Sequence, residues 1–443
     1  MRLNIRSNAP STHEGGKASR ISAFEQLRRS ILACMLWEDT FYEDGVAISN
    51  RISNLVREIP NTEAIANLAI QARKDMHLRH APLWIVVSML GSEKHRGAVA
   101  SLIPEVVNRA DEMGELISLY WSRAGKKVPL ASQLKKGLSA CFHKFSEYAL
   151  AKNDKNSAAI RIRDVMFMVH PKPISEAEHE LFRRIANDEL TTPDTWETNL
   201  SAGKDKAETF GRLMNENKLG ELAFLRNLRN MQQAGIPKEV ISAYGDRLTF
   251  SKILPFRFIA AARAAIDFES DLERYMIKRL QGYAKFEGRT ALLIDVSGSM
   301  ENGVSGKSDM TRMDAACALA MIVRELCEDV HVYTFSNRVV KVPARRAFAL
   351  RDAIVSSQIH SSTYLREAVQ YVNAGLDYDR FIVFTDEQSA DGIASPRCKK
   401  AYIINPATYE NGVGYGTYTH ISGFSEAVVD YIQSLENLES DSE

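Results

Sequence analysis

Along the first two-thirds of the chain, apolar residues recur every three or four positions. Ile21, Phe24, Leu27, Ile31 and Met35 form one such series, and Ile52, Leu55, Val56 and Ile59 another. This is the spacing of one buried helix face. The runs are broken by short stretches such as "IPNTE", "GSEKHRG", "AGKKVP", "HPKPIS", "TTPDT" and "AGIPKE". Pro or Gly, with Ser, Thr or Asn suited to capping, punctuates them. No repeat with a fixed consensus emerges. Many short antiparallel helices in series nevertheless predict an α-solenoid of the degenerate HEAT kind rather than one bundle.

The pattern changes at Thr290. "ALLIDV" is a continuous apolar run of strand length, and "MDAACALAMIVRELC" after it is helical. "VHVYTFSNRVVKV" is β-rich, "HSSTYLREAVQYVNAGL" is helical again, and "RFIVFTD" and "AYIINP" are further strands. "SEAVVDYIQSLENL" closes as a helix before the acidic end "ENLESDSE". Strands alternating with helices predict βαβ units and a parallel, doubly wound sheet. The fold class expected is therefore all-α followed by α/β.

Composition narrows the class. Of 443 residues, 45% are hydrophobic and 25% charged, the balance of a folded soluble protein. This length predicts two domains. No apolar run approaches the roughly 20 residues of a membrane helix. The polar start "MRLNIRSNAPSTHEGGKASR" lacks the apolar stretch of a signal peptide and predicts a loosely ordered arm. Five cysteines, at 34, 141, 317, 327 and 398, never form a CxxC pair. This disfavours a disulfide framework or a zinc site and points to a reducing cytoplasm. Cys34 and Cys317 read as small core residues.

The formal net charge of +0 hides a division. Residues 1–289 hold 43 Lys and Arg against 35 Asp and Glu, while residues 290–443 hold 13 against 21. A basic first part suits a polyanion, and an acidic second part suits docking to a basic neighbour.

Two of the expected strands end in acid, Asp295 after "LLI" and Asp386 after "FIVFT". Ligands of open parallel sheets gather outside such strand ends. Ser297 and Ser299 follow Asp295 in "DVSGSM", and Thr363 precedes a helix from which it can face the same crevice. Asp295, Ser297, Ser299, Thr363 and Asp386 together offer two carboxylates and three hydroxyls, hard oxygens of the kind that hold Mg2+ or Mn2+. So few charges leave the ion under-neutralised, which favours recruiting one more anionic oxygen from a partner over catalysis. "SGKSD", Ser305 to Asp309, is not a phosphate loop, because Glu301 stands where that motif needs Gly. A metal-dependent nuclease on Asp295, Asp386 and Glu387 is the enzymatic alternative.

"DVSGSM", with a downstream Thr and a strand-final "TD", resembles the metal-ion-dependent adhesion site of von Willebrand factor A domains. The helical part has its own signature. "KKGLSACFHKFSEYALAKNDKNSAAIRIRDVMFMVHPKP" concentrates Lys135, Lys136, Lys144, Lys152, Lys155, Arg161, Arg163, His170 and Lys172. "AFLRNLRNM" puts Arg226 and Arg229 on one helix face, and "KILPFRFIAAARAA" adds Lys252, Arg257 and Arg263. Cations on successive helices suit a phosphate backbone. These stretches, with "QLRRSILACMLWEDTFYEDG", "IRDVMFMVHPKP" and "LRNLRNM", resemble in order the TROVE module of the Ro ribonucleoprotein autoantigen family. "WEDTFYEDG" is similar to its bacterial and phage branch.

The resemblance implies a ring of HEAT-like repeats followed by a Rossmann-like von Willebrand factor A domain. It suggests a flexible arm over 1–20, a TROVE-like RNA-binding domain over 21–287, the A domain over 288–437 and an acidic tail over 438–443. It further implies that the chain binds a small noncoding Y-like RNA on a basic outer surface and single-stranded ends of misfolded RNA centrally. Lys152, Lys155 and His170 match the family's Y RNA contacts, and Lys135, Lys136, Arg161, Arg226 and Arg229 are the further RNA candidates. The expected protein is a monomeric, cytoplasmic, non-enzymatic scaffold for RNA quality control or stress, with an exoribonuclease among its partners and no membrane contact. The rival expectation is a protein–protein adaptor whose metal site recruits an acidic partner.

Overall fold

Helical spacing becomes helix through most of the first 280 residues of the computed structural model. The structure describes residues 11–12, 22–31, 45–76, 78–125, 128–251, 253, 256–280, 283–304, 310–343, 345–407, 412–413, 417–422, 428–429, 432–433 and 436. Cys34, Lys252, the "SGKSD" stretch and most of the expected arm, closing helix and acidic tail lie outside them. The chain forms two compact units. One holds residues 46–219 with 34–36, and the other holds 1–33, 37–45 and 220–443.

The first unit is all helix among its described residues. Its elements are α2 (Gly45–Glu58), α3 (Thr62–Lys74), α4 (His80–Leu90), α5 (Val99–Val106), α6 (Asp111–Ala124), α7 (Ser132–Cys141), α8 (Glu147–Asn153), α9 (Ile162–Val169), α10 (Glu176–Asn187), α11 (Trp196–Ser201) and α12 (Lys206–Asn215). Helix α1 (Ala23–Ile31) precedes them in sequence and belongs to the other unit. Packing is local: α3 meets α4 and α5, α5 meets α7, and α7 meets α9. Contacts between near neighbours in sequence are the mark of stacked repeats. Helix α4 is buried from Ala81 to Leu90, so its apolar character runs right round rather than along one stripe. The buried Arg73–Glu112 pair (2.6 Å) ties α3 to α6, and Glu112 also accepts the Asn108 and Arg109 amides.

In the second unit α13 (Glu221–Gln233), α14 (Lys238–Arg247), α15 (Phe256–Ala264) and α16 (Glu269–Lys278) lead into the sheet. There follow β1 (Phe286–Asp295), α17 (Arg312–Leu326), β2 (Cys327–Phe335), β3 (Val339–Lys341), α18 (Ala347–Val355), α19 (Leu365–Gly375), β4 (Arg380–Phe384), β5 (Lys400–Asn405) and β6 (Thr419–Ser422). The strand order is β3-β2-β1-β4-β5-β6, parallel except for β3. Ala291 to Ile294 are fully buried, as a central parallel strand covered on both faces requires. Helix α17 is buried at nearly every position because it packs on β1 and β2 from one side and on α15 and α18 from the other.

Chain order runs outward from β1 through β2 to β3, then returns to β4 on β1's other flank. The reversal lies between β1 and β4. That is the topological switch point at which a parallel sheet opens a crevice.

Candidate cation site and basic surface

Register places the first carboxylate. Ile294 pairs with Phe384, so Asp295 falls level with Thr385 at the carboxyl edge of the sheet. Thr385 donates its hydroxyl to Asp295 Oδ2 (2.7 Å), and the Ser297 amide donates to Oδ1 (2.9 Å). Ser297 and Ser299 bring their hydroxyl oxygens to 3.2 Å. The chain then turns through Gly298–Glu301, and the Gly298 amide donates to the Ser361 carbonyl (3.0 Å), which draws in the loop carrying Thr363. Ser336, just past β2, holds that loop from below. It receives the Ser361 amide (2.9 Å) and donates to the Ser362 carbonyl (3.0 Å). The Thr363 carbonyl in turn accepts the Ala390 amide (3.0 Å), joining this loop to the one after β4.

Asp386 lies on that last loop. Its Oδ1 accepts the Gln388 amide (3.2 Å), and its Oδ2 lies 3.3 Å from Arg312 Nη1. Asp295, Ser297, Thr363 and Asp386 are all buried, and Ser299 is half-buried. Burial, and then the nearby Asp386, push the Asp295 carboxyl well above the usual carboxylate range. Two buried carboxylates beside paired hydroxyls make a donor set that suits a divalent cation. Among the described residues no group of three or more His, Cys, Asp and Glu side chains forms a metal site. Any ion here would therefore depend on the hydroxyls as well as the two acids.

Sequence reasoning omitted Thr385, Ser336 and Arg312 from this set. The "TD" pair contained a signal for Thr385. Nothing local marks Arg312, whose approach to Asp386 depends on the fold. Glu387, the third acid of the nuclease alternative, is committed elsewhere. Its Oε2 meets Arg29 (3.2 Å), and its Oε1 meets His420 and accepts from Asn405 (2.9 Å). Burial alone would raise its pKa, but Arg29 and then His420 outweigh burial and hold it at about 2.

The basic residues divide between the units. Lys135 (half-buried) and Lys136 (exposed) lie on α7, which packs on α9. Lys152, Lys155 and His170 are exposed, and Lys152 Nζ lies over the Tyr148 ring at 5.7 Å. His170 ends α9 in the left-handed region (φ 52°). Arg161 is half-buried, and its guanidinium is engaged by Asp154 (2.6 Å) and Asp188 (2.7 Å). Asp154 Oδ1 also accepts the Ile162 amide (3.1 Å), so this cluster fixes the end of α8 against the start of α9. Arg226 and Arg229 are exposed on α13 in the other unit. There, packing and the neighbouring Arg226 both lower the pKa of Arg257. No helix of the described residues is long and apolar enough to cross a membrane.

A family model for the TROVE domain matches residues 183–321, and one for the Ro60 vWA domain matches residues 289–400. No curated protein matches the sequence. Among solved structures, the crystal structure of the Deinococcus radiodurans RO (RSR) protein shares the fold with a TM-score of 0.60. That likeness covers 93% of this chain and 98% of the other, at 16% identity. The two domain models thus match in this order along the chain, and the solved structure shares its fold.

Proposed function

We propose that the chain is a non-enzymatic RNA-binding scaffold. It would bind a small structured RNA of the Y type through phosphate contacts and grip single-stranded ends of misfolded RNA. The observation that carries this reading is the junction of α8 and α9. Lys152 and Lys155 are exposed at it and His170 is exposed at the far end of α9, while Arg161, Asp154 and Asp188 lock the junction's backbone. Exposed cations on a fixed frame give electrostatic affinity with little ordering cost. Arg161 then serves the frame more than the RNA, and Lys135 and Lys136 extend the cationic surface on α7.

In this reading Asp295, Ser297, Ser299, Thr363 and Asp386 hold Mg2+ or Mn2+. The ion supplies an open coordination position for an acidic group of a protein partner, an exoribonuclease being the partner that a role in RNA quality control or stress calls for. Glu387, with both carboxylate oxygens engaged, is poorly placed to activate water, which favours binding over cleavage.

The test is sequencing of RNA crosslinked to the protein in its host, beside a Lys152→Ala, Lys155→Ala, His170→Ala variant. One small structured RNA, enriched with the native chain and lost with the variant, is the expected result. No enrichment above background would favour a protein–protein adaptor instead.

A further inference from the structure

Arg312 occupies the first position of α17, with its side chain 3% exposed and aimed at the candidate cation site. Its Nη1 lies 3.3 Å from Asp386 Oδ2 and 3.5 Å from the Ser299 carbonyl oxygen. A cation there is at the positive end of the helix macrodipole, where it is disfavoured. Burial adds to that cost, so the guanidinium needs a carboxylate. Its anchorage is firm. The Asp314 amide donates to Thr311 Oγ1 (3.0 Å), Asp314 Oδ2 accepts the Thr311 amide (2.8 Å), and Arg263 Nη1 donates to the same oxygen (2.8 Å). The first turn that carries Arg312 is thereby fixed at the edge of the crevice.

We propose that Arg312 is a built-in counter-ion that competes with a divalent cation for Asp386 and so sets a low affinity at the site. The inference rests on the reading that the site takes such an ion. Asp295 and Asp386 bring two carboxylates, and Arg312 returns one positive charge, since Glu387 is already matched by Arg29. A divalent ion therefore enters a site already half neutralised. Once bound beside the guanidinium it leaves a net positive centre, which recruits an anionic oxygen from an acidic partner. Arg312 would thus weaken ion binding alone and strengthen binding of ion and partner carboxylate together.

The test is titration of the full chain with Mn2+, followed by the paramagnetic resonance signal of the free ion, for wild type, Arg312→Gln and Asp386→Asn. Arg312→Gln is expected to bind Mn2+ at least about tenfold more tightly, the lower bound set by removing one unit charge beside a divalent ion at the screening of bulk water. Asp386→Asn is expected to lose binding. Arg312→Met, which keeps the apolar stem, replaces Arg312→Gln if the latter melts early. Wild-type binding that is unchanged or weakened in a folded Arg312 variant overturns the inference and leaves the cation site standing. No binding by any of these proteins at millimolar Mn2+ overturns the cation reading and the inference with it.

Discussion

Arg29 on α1 lies 3.2 Å from Glu387, and both side chains are almost completely buried. Glu387 adopts the left-handed region (φ 61°), unusual for a residue with a side chain. Thr12 adds a second tie, donating its hydroxyl to the Ser389 carbonyl (2.9 Å). The segment before the helical unit is thus fastened across the loop that carries Asp386.

Removing Glu387 strips the buried Arg29 of its carboxylate, whereas Glu387 without Arg29 keeps His420 and Asn405. Glu387→Ala is expected to cost about 3–5 kcal/mol, and Arg29→Ala less. Chemical denaturation, read together with hydrogen exchange over residues 385–390, checks this. Exchange should accelerate first in that loop.

The Asp314 side chain accepts the amide of Thr311, the N-cap of α17, and pairs with Arg263, whose side chain is half exposed. Asp314→Ala loses both roles and should cost about 1–2 kcal/mol. Arg263→Ala should cost about 1 kcal/mol or less, because water screens the exposed partner. Melting of the two single variants and the double variant measures their coupling.

Gly114 on α6 makes room for the α8–α9 loop. A Cβ there would lie 2.5 Å from the Ile160 carbonyl oxygen. Gly114→Ala is expected to destabilise by about 1–3 kcal/mol and to shift the loop bearing Lys155. RNA affinity should fall although no cation is removed. Gly211 on α12 has open space at the same position, so Gly211→Ala should stabilise by about 0.5–1 kcal/mol. Denaturant midpoints compare the two.

Asp194 accepts from Arg212 (2.7 Å) and Asn199 (2.8 Å), and these, with Lys218, hold its pKa well below the usual carboxylate range. A lowered pKa in the fold stabilises above the unfolded value, near pH ~4, and that contribution is lost as pH falls toward the folded value. Exposure limits the effect to about 1 kcal/mol or less. Stability measured between pH ~4 and pH ~2 should therefore fall less in Asp194→Asn than in the native chain.

Much of this architecture is legible in the sequence because burial on both faces leaves a strong apolar signature. Ala291 to Ile294 and Phe381 to Phe384 read as strands for that reason. The acids that end or follow them sit where strand ends must lie in a parallel sheet. The β-rich run after α17 is less legible, since it bends at Ser336 and returns as antiparallel β3. Helices α13–α16 carry the same periodicity as those before them, yet they belong with the sheet. Periodicity tells which face is buried but not what covers it. Arg161 presents itself in sequence as one more cation, while its acids lie 7 and 27 residues away and meet it only in the fold. Arg312 has the same character, with Asp386 lying 74 residues on.

The most direct test is the affinity of the purified chain for a small structured RNA across a range of salt concentrations. The native chain is compared with the Lys152→Ala, Lys155→Ala, His170→Ala variant and with Asp295→Ala. The native chain should lose affinity steeply with salt. The triple variant should bind more weakly, with a log–log slope shallower by about 1.5, each lost lysine–phosphate contact being worth about 0.7–0.9. Asp295→Ala should match the native chain. Equal affinity and slope in the triple variant, with loss in Asp295→Ala, would contradict the account.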